Sequence, residues 1–173
     1  MSRWIGLFVV CIGGIGVSGC AREDPGTAHL FFEGGANALR EGRNEEAVSK
    51  FKRAIAIDPN YAEAYYGLGL AFKKMGAFDK AIVQMEKSLQ VGTELTRGHF
   101  EPRAHFQLGT LYRLRNLDEK AIQHWQAAVK LRPRYMEPHN NLALTYQKLE
   151  RYDEAIKEWR ALIDIPGYPT PYI

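Results

Sequence analysis

The sequence predicts an all-α protein built as a stack of repeated helical hairpins, and three observations carry that prediction. First, Ala47, Ala81, Ala121 and Ala155 fall in one column, with separations of 34, 40 and 34 residues. Second, each of these alanines is followed four residues later by Phe51, Met85, Trp125 or Trp159 and preceded by twelve by Gly35, Gly69, Gly109 or Ala143. A spacing of four keeps two residues on one helix face, and small residues opposite large ones let backbones approach closely. Third, helix breakers recur in phase: Gly42, Gly76 and Asn116 inside units, and Asp58-Pro59-Asn60 and Arg132-Pro133-Arg134 between them. Proline cannot extend the helix before it, so each unit reads as two antiparallel helices.

The 173 residues leave room for one folded domain and little for a second. With 46% apolar and 25% charged residues, wholesale disorder and a polytopic membrane protein are both excluded. The 23 basic and 20 acidic side chains are scattered rather than gathered in a stripe, which argues against nucleic acid as a partner. Aromatic residues, at 12%, are mostly accounted for by core columns.

Taken in order, residues 1–19 have the layout of a secretory signal: Arg3, an uncharged run from Trp4 to Val17, then small residues. The run is short for a spanning helix and is loosened by Gly6, Gly13, Gly14 and Gly16. Gly14 to Gly19 matches a G-x-G-x-x-G dinucleotide fingerprint, but no strand and helix of a βαβ unit surround it. The segment Val17-Ser18-Gly19-Cys20 resembles the lipobox of bacterial lipoproteins. That resemblance implies cleavage before Cys20, a diacylglycerol on its sulfur and an acylated amino group. With Cys11 removed in the signal, Cys20 is the remaining thiol, so no intramolecular disulfide is expected. Each buried acyl CH₂ contributes about 0.8 kcal/mol, so three chains hold a protein on a membrane essentially permanently. Ala21 after the cysteine favours the outer membrane by resemblance to enterobacterial sorting. Residues 20–27 then form a tether of at most about 28 Å.

The repeated columns resemble the tetratricopeptide repeat, with its W-x2-L-G-x2-Y, A-x3-F and closing Pro in 34 residues. Tyr65, Leu68, Gly69, Phe72, Ala81 and Met85 fit it in the second unit, and Leu108, Gly109, Tyr112, Ala121, Trp125, Ala128 and Pro133 in the third. The units are 28–61, 62–95, 102–135 and 136–169, followed by a tail, 170–173. The resemblance implies a right-handed α-solenoid of four helix-turn-helix repeats with a concave groove built from first helices. Repeat one departs from the pattern at Gly34 and Ala38, and repeat four lacks the closing proline.

Two irregularities stand out. Six extra residues lie around 91–101, a segment carrying Gly92 and Gly98, and a longer surface loop is expected there. At the other end only a proline-rich tail follows the last helix, so its apolar face, with Ile156, Trp159 and Ile163, is expected to be exposed and to serve for self-association or partner docking.

No nucleophile with a base and no facing carboxylate pair is found, so no enzyme activity and no cofactor are expected. Ser49 and Ser88 lie on second helices. His99, Glu101 and His105 fall within seven residues and could hold zinc, the basis of an alternative metal-binding or enzymatic reading. His105 and His139 both occupy a large core column, however, and packing between helices is expected for them. His29 and His124 have no partner at helical spacing.

The groove is more informative. The repeat family turns positions 2, 5, 9 and 12 of the first helix to the concave face, a single helical stripe. Carried onto this chain they read Phe32, Tyr66, Phe106 and Asn140 at position 5, Leu70 and Thr110 at position 9, and Lys73 and Arg113 at position 12. Arg103 at position 2, and Gln107 and Asn141 at position 6, complete an aromatic, basic and amide-bearing surface suited to an extended peptide. Tyr66 and Phe106 are expected to be groove aromatics that packing does not require.

Signal, lipobox, repeats and the tail Tyr168-Pro169-Thr170-Pro171-Tyr172 together resemble the type IV pilus biogenesis and stability lipoproteins, or pilotins. What that implies is a scaffold for protein partners, lipid-anchored through Cys20 and facing the periplasm, that assists pilus or secretin assembly. A scaffold for peptidoglycan-remodelling enzymes is the other adaptor reading.

Overall fold

The structure is a computed structural model that describes residues 25–92 and 94–167. Among the described residues eight helices follow one another: α1 (Pro25–Arg40), α2 (Asn44–Ile57), α3 (Ala62–Lys74), α4 (Phe78–Val91), α5 (Glu94–Leu114), α6 (Asp118–Leu131), α7 (Met136–Lys148) and α8 (Tyr152–Ile163). Odd and even helices pair as hairpins, each even helix packs on the next odd one, and α1, α3 and α5 also touch along one side. This is the α-solenoid of four helix-turn-helix repeats that the sequence predicts, with the first helices lining its inner face. No described helix is long and apolar enough to cross a membrane. The Cys20 anchor, the side chain of His99 and the tail lie outside the described residues.

The turns inside the hairpins are one motif used four times. Gly42, Gly76, Asn116 and Glu150 all have φ between +57° and +79°. In each, the next residue's N–H reaches back to the carbonyl of Ala38, Phe72, Tyr112 or Tyr146 at 2.9–3.0 Å. This left-handed closure ties up carbonyls that the helix end would otherwise leave without partners. Glycine takes that conformation without strain and Asn at modest cost; Glu150 is the unfavourable case.

The core follows the columns. Ala47, Ala81, Ala121 and Ala155 are all fully buried, and Phe51, Met85 and Trp125 fill the space between helices. The small column beneath them is required by contact. A Cβ on Gly69 would stand 2.6 Å from Met85 Cγ, and one on Gly109 would stand 2.5 Å from Trp125 Nε1. Interiors packed to crystal density have no slack for such atoms.

From residue 94 onward the expected loop at 91–101 is instead helix. Residues 94–101 extend α5 backward in one run of 21 residues, with Pro102 inside it. Proline removes the bond its N–H would make to the carbonyl four residues earlier, and it normally marks a helix start. The added turns are held by Phe100, which is buried against Ala62 and Ala104 and packs its ring 6.4 Å from that of Tyr66.

At the far end, α8 leaves Tyr152, Ile156 and Ile163 at 58%, 44% and 58% exposure, while Trp159 is half-buried against its own repeat. Ile122, at the same repeat position as Ile156, is 3% exposed because α7 covers it. The unprotected face of the last helix is thus as expected for Ile156 and Ile163, and only partly so for Trp159.

Candidate protein-binding groove

The inner face carries an aromatic-walled cavity of about 410 Å³ between α1, α3 and α5. Phe32, Ala36, Leu39, Tyr66, Leu70 and Phe100 supply its apolar wall, and Arg40, Arg103 and Glu63 its charged rim. Phe32 is held by tilted contacts with Phe51 at 5.8 Å and Tyr61 at 5.2 Å, so its ring is fixed before any ligand arrives. Burial pushes the Tyr66 phenol up to about 12, which keeps it a neutral hydroxyl throughout the physiological range. A second cavity of about 250 Å³ adjoins the first and shares Leu39, Arg40 and Leu70 with it. Lys73, Lys74 and Gln107 complete its lining.

Lys73 donates to Gln107 Oε1 at 2.6 Å, and burial draws its ammonium below the usual lysine value. Lys74 donates to the Leu39 carbonyl at 2.9 Å, which staples α3 to the C-terminal end of α1. The two arginines differ: Arg40 leans on Asn37, whereas Arg103 is exposed at the cavity mouth.

Of the groove residues expected from sequence, Phe32, Tyr66, Leu70 and Arg103 share the first cavity, and Leu70, Lys73 and Gln107 the second. Phe106, Thr110, Arg113, Asn140 and Asn141 line neither. Phe106 packs 5.3 Å from the Tyr135 ring, and the Thr110 hydroxyl is occupied by a 3.0 Å bond to the Phe106 carbonyl. Arg113 and Asn140 are exposed and Asn141 is half-buried. Tyr66 and Phe106 are also not free of packing duty, since both lie against the main core cluster. Phe100, Arg40 and Glu63 are groove residues that the sequence reading missed. The signal for Phe100 was the pair Phe100 and Ala104, an i, i+4 apolar match running through a segment that glycine and proline mark as loop.

The histidines pair across hairpins. His105 Nδ1 lies 3.0 Å from His124 Nδ1, and His124 stacks on Tyr112 at 5.3 Å and 15°. One nitrogen must donate and the other accept, so the pair is satisfied with both rings neutral. Burial, then the neighbouring His105, pulls His124 down to about 4. His139 is 4% exposed, with Nδ1 2.6 Å from Glu158 and Nε2 2.9 Å from the Pro133 carbonyl. Both therefore pack between helices as expected, and no group of three metal-binding side chains comes together among the described residues.

A TPR repeat model matches residues 37–76 and 109–150, and a tetratricopeptide repeat model matches 62–91 and 137–166. The chain carries tetratricopeptide repeats. Among solved structures, MamA superposes with a TM-score of 0.71 at 22% identity, over 80% of this chain and 77% of that one. The first TPR of Spaghetti (RPAP3), bound to the HSP90 peptide SRMEEVD, gives 0.67 at 18% identity, over 75% and 98%. At these identities the likeness is one of fold. The probable UDP-N-acetylglucosamine–peptide N-acetylglucosaminyltransferase SPINDLY of Oryza sativa subsp. japonica is 37% identical over 54 residues, 31% of this chain and 6% of that protein. So small a share carries none of that protein's chemistry with it. This tetratricopeptide-repeat chain spans a quarter or less of the length of the curated relatives it matches.

Proposed function

We propose that this protein is a lipid-anchored scaffold facing the periplasm, which holds an extended segment of a protein partner in its concave groove and assists type IV pilus or secretin assembly. The observation that carries the binding reading is the 410 Å³ cavity, where Phe32, Tyr66 and Phe100 can bury an apolar side chain between Arg40 and Arg103. Arginines at a partly apolar rim pair with carboxylates more strongly than in open water. The fold likeness to a repeat domain bound to an HSP90 peptide supports a peptide as the ligand class. The lipobox at Cys20 supports the anchor, and outer-membrane placement rests on Ala21. The exposed stripe of α8 is, in this reading, the surface through which the scaffold self-associates.

One experiment tests anchor and groove together. A photocrosslinking residue placed at Arg103 in cells should give a discrete adduct with an envelope protein, weakened by Arg40→Glu. The same label in a Cys20→Ser background should lose the adduct together with acyl labelling. Unchanged acylation sinks the anchor, and adducts no different from those of an exposed second-helix position such as Lys87 sink the groove.

A further inference from the structure

The outer face of the solenoid repeats its contacts, and the first junction breaks the pattern. At the second junction Tyr112 of α5 donates to Glu86 of α4 at 2.6 Å, while His105 and His124 bridge α5 to α6. At the third, Tyr146 of α7 accepts from Gln126 of α6 at 2.8 Å, while His139 and Glu158 bridge α7 to α8. A hydroxyl on the first helix and a polar end on the preceding second helix thus lace successive repeats together. The corresponding residues at the first junction are Phe72, in the column of Tyr112 and Tyr146, and Lys52, in the column of Glu86 and Gln126. Phe72 has no hydroxyl, and Lys52 is an exposed cation with no ion-pair partner among the described residues.

Where the lacing is missing a cleft opens. It measures about 550 Å³ and runs between α2 and α4 over α3, within the roughly 300–1,000 Å³ range of sites that bind ligands. Its floor is Ile55, Leu68 and Phe72. Val83, 57% exposed, forms an apolar rim on the α4 side. Lys52 stands on one wall and Lys80 on the other, the latter with its ammonium 5.8 Å from the centre of the Phe72 ring. The acid of the lining, Asp79, is engaged by Arg115 at 3.2 Å. What remains unanswered in the cleft is positive charge above an apolar floor.

We propose that this convex cleft is a second binding site, separate from the concave groove, and that it takes an acidic segment of a protein partner. One large apolar side chain, Leu, Ile or Phe, enters over Phe72 and Leu68, and neighbouring Asp or Glu residues pair with Lys52 and Lys80. The partner's carboxylate supplies at the first junction the polar closure that Glu86 supplies from within the chain at the second. The charge on both walls selects an acidic segment over a neutral one, because a neutral segment leaves two partly desolvated ammonium groups without counterions. A protein segment rather than a free small carboxylate fits because the cleft is open along its length and offers cations on both sides, so that acids flanking one apolar anchor are read together.

The test is a peptide-display selection on the purified full chain, with counter-selection on the Lys52→Glu, Lys80→Glu double variant. The expected result is a family of peptides with Asp or Glu beside Leu, Ile or Phe. These should lose at least tenfold in affinity on the double variant and bind the groove variant Arg103→Glu as well as the native chain. A Lys52→Gln, Lys80→Gln variant with native thermal unfolding keeps the result readable if charge reversal loosens the array. The proposal is overturned if no acidic peptides are enriched, if enriched peptides bind the lysine variants undiminished, or if their binding is lost on Arg103→Glu instead. The last outcome would assign them to the concave groove, leaving that reading intact.

Discussion

Trp125 packs its indole against the place where Gly109 has no side chain, with Nε1 and Cδ1 both 2.5 Å from the position of an added Cβ. The indole is fully buried and donates Nε1 to the Phe106 carbonyl at 3.2 Å, so it cannot swing away. Gly109→Ala therefore gains about 1 kcal/mol of helix propensity and loses more to overpacking, typically about 1–3 kcal/mol with the hydrogen bond also disturbed. A net loss of about 1–2 kcal/mol in urea unfolding is the expected outcome. Stability at or above that of the native chain would mean that the third repeat is not closed in this way.

That contact was legible in the sequence, because a small residue sixteen positions before a large one recurs in every repeat, as Gly35 and Phe51, Gly69 and Met85, Gly109 and Trp125, and Ala143 and Trp159. Other features were not. The start of α5 was hidden by Gly98 and Pro102, local signals that were outweighed by burial of Phe100 against α3. The His105–His124 pair joins residues nineteen apart across a hairpin, beyond the reach of any i, i+4 rule. The groove was legible as a stripe but not as a cavity. Which stripe residues converge depends on how far successive repeats are rotated, and that brings Phe32, Tyr66 and Arg103 together while leaving Arg113 and Asn140 outside.

Glu150 occupies the turn position taken by glycine in the first two repeats, at φ 58°. It is exposed, and its backbone N–H bonds to the Gln147 carbonyl at 3.1 Å whichever side chain it carries. Glu150→Gly should relieve left-handed strain of roughly 1–2 kcal/mol, partly offset by the greater freedom of glycine in the unfolded chain. A gain of about 0.5–1 kcal/mol in thermal or urea unfolding is expected, and a loss would contradict the strain argument.

His124 makes stability depend on pH in the acid range. Its folded value of about 4 lies below the ordinary 6.5, through burial, the facing His105 and Lys120, against the smaller opposing pull of Glu86. The unfolded chain therefore binds more protons between these values. Stability is fully present above about pH 6.5 and falls as pH drops toward 4, by an amount on the order of 1–3 kcal/mol. His124→Gln should flatten this part of the stability profile while leaving the neutral plateau little changed. An acid limb that is identical in the variant would remove His124 as its source.

Tyr152, Ile156 and Ile163 leave an apolar stripe exposed on α8, whereas Ile122 and Val129 of α6, the counterparts of Ile156 and Ile163, are buried or packed against the core beside α7. Sedimentation of the native chain across roughly a hundredfold range of concentration should show association, and Ile163→Glu should abolish it without loss of stability, since Ile163 is 58% exposed. Trp159→Glu is a poor probe because that ring also packs on its own repeat. A monomer at every concentration would end the self-association reading.

The difference between the first and second junctions can be engineered away. Phe72→Tyr places a hydroxyl where Tyr112 has one, and Lys52→Glu places a carboxylate where Glu86 stands, so the pair should lace α2 to α3 as α4 is laced to α5. A hydrogen bond to a carboxylate contributes roughly 1.5–3 kcal/mol, less at this half-open site, and a net gain of about 1 kcal/mol is expected for the double variant. Neither single change should stabilise: Phe72→Tyr alone leaves its hydroxyl facing Lys52, and Lys52→Glu alone faces a ring without a donor. The coupling in a double-mutant cycle is therefore the quantity to measure, and additive effects of the two changes would show that the first cleft is held open by backbone spacing rather than by the absence of this bond. The same double variant should also close the proposed convex site, so that stability rises while capture of acidic peptides falls.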